Sequence, residues 1–462
     1  MRLRKHDIHQ RINGNLKIEF AEQQISSYSG LELFKRYFRI IRLNHRIRRA
    51  FQGYGFKGDY SVGDCILVFI TLWITGGNRL RHVRYLAEDP LVQRLCGLES
   101  LPSDRSLSRW LGQFTNDSLQ ALVSLNSEII LEQLDGMGLS TITLDFDGTV
   151  LSCGNKIQWA FRGYNPQNRH AKSYFPLLCH IAQTGHFLHV KNRPGNVHDS
   201  NYALEIMKDC IEQVRTKLPH VRVEVRMDSA FFQKNILRYL SKHNIPFAVK
   251  VPMWKWLGLK ELINQREKWQ SCGSRLCWFK KAFLIEAWDQ EVEMTFFRDK
   301  LSDNPPKGYQ LDFFTPDDGV YEYSVLCSNK RLGAQSLFDF YNGRCAIEHD
   351  FSELKGEFGF ASIPTRHYQG NSAYQLISIL AYNLVRNFQI DTKLAKERKE
   401  STSHTNVLSF ESLSTLRFEW ISVAGRLLNL SRGRTLRLTQ SPVRKEVFGF
   451  IDRSLSQLQA AA

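Results

Sequence analysis

The chain has 462 residues, of which 43% are hydrophobic and 23% charged, an ordinary globular composition with room for two or three domains. Its longest purely apolar run near a candidate membrane segment, residues 66–74, is far short of the roughly 20 residues a spanning helix needs, so no membrane is expected. Lys and Arg number 62 against 46 Asp and Glu, a formal charge of +16, and a surplus of that size favours a polyanionic partner, nucleic acid first.

The basic start MRLRKHDIHQ is followed by no apolar segment, so no secretion signal is expected. Residues 31–54 project as one amphipathic helix. Lys35, Arg39, Arg42, Arg46 and Arg49 fall within an arc of roughly 80°, opposite Leu33, Tyr37, Ile40, Leu43 and Ile47. With no acidic residue between positions 33 and 50, the stripe suits a phosphate backbone. The stretch LPSDRSLSRWLGQF predicts a turn, an N-cap at Ser103 or Asp104, and a helix exposing Arg105 and Arg109. It fits the second helix of a helix-turn-helix and equally a plain surface helix. Residues 1–137 are expected to form a helical, basic, DNA-facing domain.

At residue 140 the texture changes to alternating and β-branched positions, the strand period. Strands are predicted at about 140–152, 174–183, 186–192, 221–228 and 246–251, with helices from an Asp199 cap to Leu218 and near 233–243. Three strands able to pair as a meander, then helix, strand, helix, strand, is an α/β order. Residues 253–332 are Trp-rich and alternating and predict a mainly β insertion. A helix is predicted over 334–359, a second apolar one from about 371, and a basic region over 393–462. Nine cysteines are scattered, only Cys272 and Cys277 lying close together. Reduced, mostly buried thiols are expected rather than a structural zinc.

Two segments carry the chemistry. LDFDGTVL, residues 144–151, is how haloacid dehalogenase-type phosphatases present a nucleophilic Asp, here Asp145 with Asp147 as acid. It is also how RNase H-like nucleases present a first metal-binding carboxylate. Asp145 and Asp147 are two apart on a strand and share a face. The phosphatase reading needs a downstream Ser or Thr, a Lys and a late acidic pair; Asp317 and Asp318 could serve as that pair, yet they sit in a Pro-Asp-Asp-Gly turn within the β-like stretch. In YNGRCAIEHDFSELK, residues 341–355, a continuous helix places Tyr341, Arg344, Glu348 and Lys355 within an arc of about 60° and along about 21 Å. Phosphodiester chemistry calls for hard divalent cations on carboxylate oxygens. Asp147, Asp228 and Glu348 can meet at one sheet edge, with cationic and phenolic neighbours on the phosphates.

The spacing Y-x2-R-x3-E-x6-K, with LDFDGTV and VRMDSAFF upstream of it in order, resembles the DDE transposases of bacterial insertion sequences in the group called family four. LDFDGTV, GYNPQNRHAKSYFPLL and VRMDSAFF look most like its relative, family thirteen-eighty. The resemblance implies an RNase H-like (retroviral integrase-like) core in two parts, 138–252 and 333–392, interrupted by the 253–332 insertion. It assigns Asp147, Asp228 and Glu348 as ligands of two Mg2+ ions, with Mn2+ as a substitute, which activate water or a DNA 3′-hydroxyl for in-line attack. It assigns Tyr341, Arg344 and Lys355 to transposon-end phosphates, and favours Asp147 over Asp145. It also implies end binding, cleavage, 3′-end joining to target DNA, a homodimer with two ends, and a cytoplasmic, nucleoid-associated location. A β-insertion Trp stacks on a flipped base in some relatives; Trp278 and Trp288 are available here, with core packing the expected role of both. A DNA-binding relative with a decayed core is the non-enzymatic alternative.

Overall fold

The alternating segment TITLDFDG forms strand β1, Thr141–Gly148, in the middle of a nine-stranded sheet. The computed structural model describes residues 24–163, 165, 168–198, 201–301, 320–397, 408–430 and 433–461. In chain order the other strands of this sheet are β2 (Leu177–Ile181), β3 (His186–Lys191), β4 (Arg222–Met227), β5 (Phe247–Lys250), β6 (Gln270–Cys272), β7 (Leu276–Ile285), β8 (Gln290–Lys300) and β9 (Tyr321–Ser328). Across the sheet the order is β3-β2-β1-β4-β5-β9-β8-β7-β6. The helices used below are α1 (Leu31–Ile40), α2 (Leu43–Ala50), α3 (Val62–Ile74), α4 (Pro90–Cys96), α5 (Asp104–Leu111), α6 (Asn116–Gly136), α7 (Ala203–Lys217), α8 (Lys234–Lys242), α9 (Ala334–Asn342), α10 (Ala346–Glu357), α11 (Tyr368–Asp391) and α12 (Pro442–Ala461).

The expected meander forms: β2 is antiparallel to both β1 and β3. β4 and β5 then run parallel to β1, because α7 and α8 carry the chain back between them. Side chains alternate across β1. Leu144 and Phe146 join α7 and α8 in one apolar cluster, while Asp145 and Asp147 face the other way. The predicted Asp199 cap lies outside the described residues, as do residues 1–23 and the Asp317 and Asp318 pair.

The 253–332 segment is β-rich as expected, but it continues the central sheet instead of standing apart from it. β9 pairs antiparallel with β5, Leu326 opposite Lys250 and Ser328 opposite Ala248, and β8 and β7 extend the same ladder. Hydrogen bonding along the edge of β5 is what merges the two: a parallel strand left at an edge would expose its N–H and C=O groups.

The opposite edge, β3, is closed by side chains. Asn383 of α11 accepts from the Phe187 N–H (3.0 Å) and donates to the Phe187 carbonyl (2.9 Å), while Asn126 of α6 donates to the Phe187 and Leu188 carbonyls (3.0 Å each). Helix α11 is buried from Gly370 to Gln389, so its polar residues need such partners. On its far side Phe388 meets Phe34 at 4.4 Å and Trp420 at 5.5 Å, contacts worth about 0.5–1.5 kcal/mol each beyond area burial. Helices α1, α3, α11 and α12 thus share one apolar cluster. The predicted boundary near 137 is a real change of secondary structure, yet the N-terminal helices have no core separate from α11 and the C-terminal segment. Ile25–Ser26 even pairs with the strand Gly425–Leu430. The apolar run 66–74 lies within α3 and is buried throughout, with a Ser61/Asp64 capping box. No helix among the described residues is long and apolar enough to cross a membrane.

Two predicted helices are broken. The 31–54 helix stops at Ile40 and restarts at Leu43, with Arg42 in the left-handed region (φ 53°). Arg46 Nε closes the gap by donating to the Ile41 carbonyl at 2.9 Å. Residues 334–359 break at a 3-10 turn, Gly343–Cys345. Gly is a poor helix former, and Arg226 of β4 competes for the carbonyl the next turn needs. Its Nη1 donates to the Phe340 carbonyl at 2.7 Å, the acceptor that the Arg344 N–H would use in a continuous α-helix.

Candidate active site

β1 and β4 are parallel neighbours in register, Phe146 beside Met227. The next residue of each, Asp147 and Asp228, therefore lies at the same end of adjoining strands, and strands pair about 4.8 Å apart. Asp147 Oδ1 accepts from the Gly148 N–H (2.9 Å) and Asp228 Oδ1 from the Ala230 N–H (2.9 Å), so backbone amides orient both carboxylates. Arg344 Nη1 donates to Asp147 Oδ2 at 3.1 Å. Burial disfavours the charge of Arg344, but Tyr341, Asp147 and Asp228 outweigh it and hold its pKa above the usual range. Burial pushes the Tyr341 phenol up to about 12, against the pull of Arg344. Lys355 is held below the usual lysine range by burial, with Asp147 opposing the shift. Tyr341, Arg344 and Lys355 thus surround the Asp147–Asp228 strand ends electrostatically.

Glu348 is exposed and does not join them. Each 3-10 residue turns the chain about 20° further than an α-helical one. The turn at Gly343–Cys345 therefore spoils the narrow arc of a continuous helix and rotates α10 relative to α9. Among the described residues, no group of three or more His, Cys, Asp or Glu is close enough to hold a metal ion. The two aspartates by themselves fit a hard divalent cation, which takes one or two protein carboxylates and leaves its other positions to water and phosphate. The Arg344 guanidinium beside Asp147, with an unpartnered buried Nε, supplies the positive charge that such a pair requires.

Asp145 has another role. It is buried, and Arg226 grips it with two hydrogen bonds of 2.7 Å, Nε to Oδ1 and Nη2 to Oδ2. His180 stands 3.6 Å away through Nδ1 and bonds Asp350 Oδ2 through Nε2 at 2.9 Å. Burial raises the pKa of Asp145, but Arg226 and His180 outweigh it and hold the carboxyl below the usual range. Asp350 in turn meets Tyr382 (3.0 Å) and Arg386 (3.1 Å), and Arg386 meets Glu353 (2.8 Å). This buried chain of charges ties β1 to α10 and α11. Sequence reasoning missed it, although a signal exists: Arg226 and His180 are the register partners of Asp145 in β4 and β2, a charged row at strand positions that read as core.

The N-terminal basic stripe is largely spent on internal contacts. Arg46 pairs with Glu128 (2.7 Å) and Glu132 (2.6 Å), Arg49 with Glu128 (2.5 Å), and Lys35 donates to the Arg94 carbonyl. Arg39 and Arg42 are exposed. Ser103 is the N-cap of α5, and Arg105 and Arg109 are exposed on it. Trp278 packs on the small cluster around Phe297 and Leu337, and Trp288 lies 5.0 Å from Phe232 and 6.2 Å from Trp256. The cysteines among the described residues are free, and Cys65, Cys96, Cys179, Cys210 and Cys327 are buried.

Adjoining aspartate-tipped strands beneath a guanidinium and an ammonium, in a strongly basic chain, define an α/β protein with a carboxylate-centred site suited to a polyanion. More particularly, the chain belongs to the family of transposase DDE domains, group 1, whose profile matches residues 9–460. It is therefore a transposase, of a class that cleaves and rejoins DNA and generally uses divalent metal ions. Among solved structures it is similar to the piggyBac transposase synaptic complex with hairpin DNA, determined by cryo-EM. The TM-score is 0.42 at 11% identity, over 94% of this chain and 81% of that one. No curated protein matches the chain.

Proposed function

We propose that the protein binds the terminal inverted repeats of a bacterial insertion sequence, cleaves at the element ends and joins the 3′ ends to target DNA, by a cut-and-paste route. The observation that carries this reading is the pair Asp147 and Asp228 on adjoining strand ends under Arg344. The RNase H-like assignment is supported by the meander followed by two parallel strands, with the carboxylates at the ends of the first and fourth. Mg2+ held by these carboxylates, two ions once Glu348 joins, would supply Lewis-acid stabilisation of charge on the attacking and leaving oxygens.

The chain's own residues do the rest. Asp147 and Asp228 are presented rigidly by backbone amides. Arg344 offsets the charge of Asp147 and, with Tyr341 and Lys355, can redirect its hydrogen bonds to an arriving end phosphate. Arg39, Arg42, Arg105 and Arg109, exposed on the N-terminal helices, contribute sequence-independent phosphate contacts; Lys35, Arg46 and Arg49 contribute less because they are held internally. Two copies acting on two ends in a homodimer, in the bacterial cytoplasm at the nucleoid, complete the reading. A phosphatase would need Asp145 as nucleophile, and Asp145 is sealed in an ion pair with Arg226.

The test is cleavage of a supercoiled donor plasmid carrying the element's two ends, in Mg2+ or EDTA, by wild type, Asp228→Asn and Glu348→Gln. Metal-dependent cuts at the end boundaries are expected from wild type alone, with end binding retained by both variants. Binding without cleavage by wild type would favour a decayed core.

A further inference from the structure

The segment between β1 and β2 plays no part in the site described above. It leaves β1 just after Asp147, forms the short antiparallel pair Leu151–Cys153 with Lys172–Tyr174, and returns to β2. From Gly148 to His198 the sequence contains no Asp or Glu. At its outer loop Trp159 adopts a left-handed backbone conformation, φ 60°, a rare one for a bulky side chain. The chain on either side is pinned there. The Gln158 N–H donates to the Arg366 carbonyl (3.0 Å), the Gln158 carbonyl accepts from Tyr174 OH (2.5 Å), and Gln158 Oε1 accepts from the Tyr368 N–H (3.0 Å). Phe161 and Ser173 exchange both backbone hydrogen bonds, at 3.3 and 2.9 Å. Below them Gly163 meets Gly195 so closely that a Cβ on Gly163 would stand 1.7 Å from the Gly195 carbonyl oxygen.

This bracing holds an apolar ring outward. Trp159 is 55% and Phe161 43% exposed, their rings 6.4 Å apart and near perpendicular. Lys156, Arg162 and Arg366 are exposed around them. Burying the indole would serve the fold better, and a left-handed loop position favours Gly. Backbone strain that the surroundings impose on an exposed aromatic residue is an observation from which function can be inferred.

Resting on the transposase reading, we propose that this hairpin is a DNA-contacting finger: Trp159 stacks on a nucleobase whose face is uncovered, while Lys156, Arg162 and Arg366 hold the adjacent phosphates. Aromatic rings beside cations bind single-stranded or locally opened DNA with little regard to sequence, since every base has a π-face.

Binding to a mixed-sequence single strand and to its duplex should be measured for wild type, Trp159→Gly, Trp159→Tyr and the pair Lys156→Gln with Arg162→Gln. Trp159→Gly is expected to weaken single-strand binding about 10-fold or more, with a far smaller effect on duplex and no loss of thermal stability, because Gly accepts the backbone conformation. Trp159→Tyr should restore most of the affinity. The double substitution should flatten the salt dependence by about 0.7 in log–log slope for each phosphate no longer held. Unchanged single-strand affinity in Trp159→Gly overturns the proposal, as does a fall in thermal stability that tracks any loss of binding. If wild type binds neither DNA, the transposase reading itself has failed.

Discussion

Replacing Asp145 by Asn tests whether the first carboxylate of the DFD segment is structural. The wild-type carboxylate receives two 2.7 Å bonds from Arg226 and faces His180 at 3.6 Å, and both the Asp145 and Arg226 side chains are buried. An amide of the same shape keeps at most one of the acceptor contacts and leaves the guanidinium charge uncompensated. Breaking a buried pair from one side costs about 3–5 kcal/mol, a large part of the roughly 5–15 kcal/mol that separates a folded domain from its unfolded chain. Removing both charges, Asp145→Leu with Arg226→Met, should recover part of that loss, since apolar replacements of similar volume are often neutral for the pair itself while the Phe340 carbonyl still loses its Arg226 donor. Urea unfolding of Asp145→Leu, Arg226→Met and the double variant closes the cycle, and a coupling of about 2 kcal/mol or more is expected for charges in direct contact. Metal-dependent cleavage by the double variant should survive at least in part. If Asp145→Asn were as stable as wild type yet inactive, Asp145 would be a ligand or nucleophile and the assignment to Asp147 would be wrong.

Other outcomes follow from the same contacts. Burial holds the His186 imidazole down to about 3, whereas an unfolded His titrates near 6.5. Between those values the unfolded chain binds the extra proton, so stability present above about pH 6.5 should fall with acid by up to about 1.4 kcal/mol per pH unit; urea midpoints against pH should flatten by one proton in His186→Gln. Asn383→Ala should cost about 1–3 kcal/mol for each β3 edge group left unpaired, and faster hydrogen exchange at the Phe187 amide, which now bonds Asn383, would report it; unchanged protection there would show that the edge is closed by something else. Arg344→Gln removes the guanidinium that bonds Asp147 and that also attracts Asp228. Melting temperature should then drop in EDTA and recover in Mg2+ by more than in wild type, whereas an equal response in both proteins would mean that no cation replaces the guanidinium.

Legibility in the sequence followed the range of the forces involved. Strands β1 to β5 and their two crossover helices were readable because period-2 alternation and helical periodicity are local, and the strand ends that carry Asp147 and Asp228 came with them. The continuity of β5 with β9 was not, since a Trp-rich stretch of alternating residues looks the same in a separate sheet as in an extension of this one. Helical projection failed at Arg42 and at Gly343 for a common reason: at each break a distant or neighbouring guanidinium takes a carbonyl that an ideal helix would have used. Arg46 does so for Ile41 and Arg226 for Phe340.

That last contact links the frame of the site to the position of Glu348, the carboxylate proposed as its third. Arg226 uses Nε and Nη2 to fix Asp145, two residues before Asp147, and Nη1 to hold the Phe340 carbonyl at the end of α9. The resulting break turns α10 so that Glu348 faces solvent, while Asp350, two residues further on, is bound inward to His180, Tyr382 and Arg386. Neighbouring positions on one helix are therefore in opposite environments, one locked by a buried network and one facing solvent. Bringing Glu348 to the Asp147–Asp228 edge takes more than a change in the short turn at Gly343–Cys345, because rotating α10 would also pull Asp350 and Glu353 away from His180, Tyr382 and Arg386. The same network that fixes the frame around Asp147 and Asp228 thus also holds Glu348 away from them, so the position of Glu348 is coupled to the buried row and not to the turn alone.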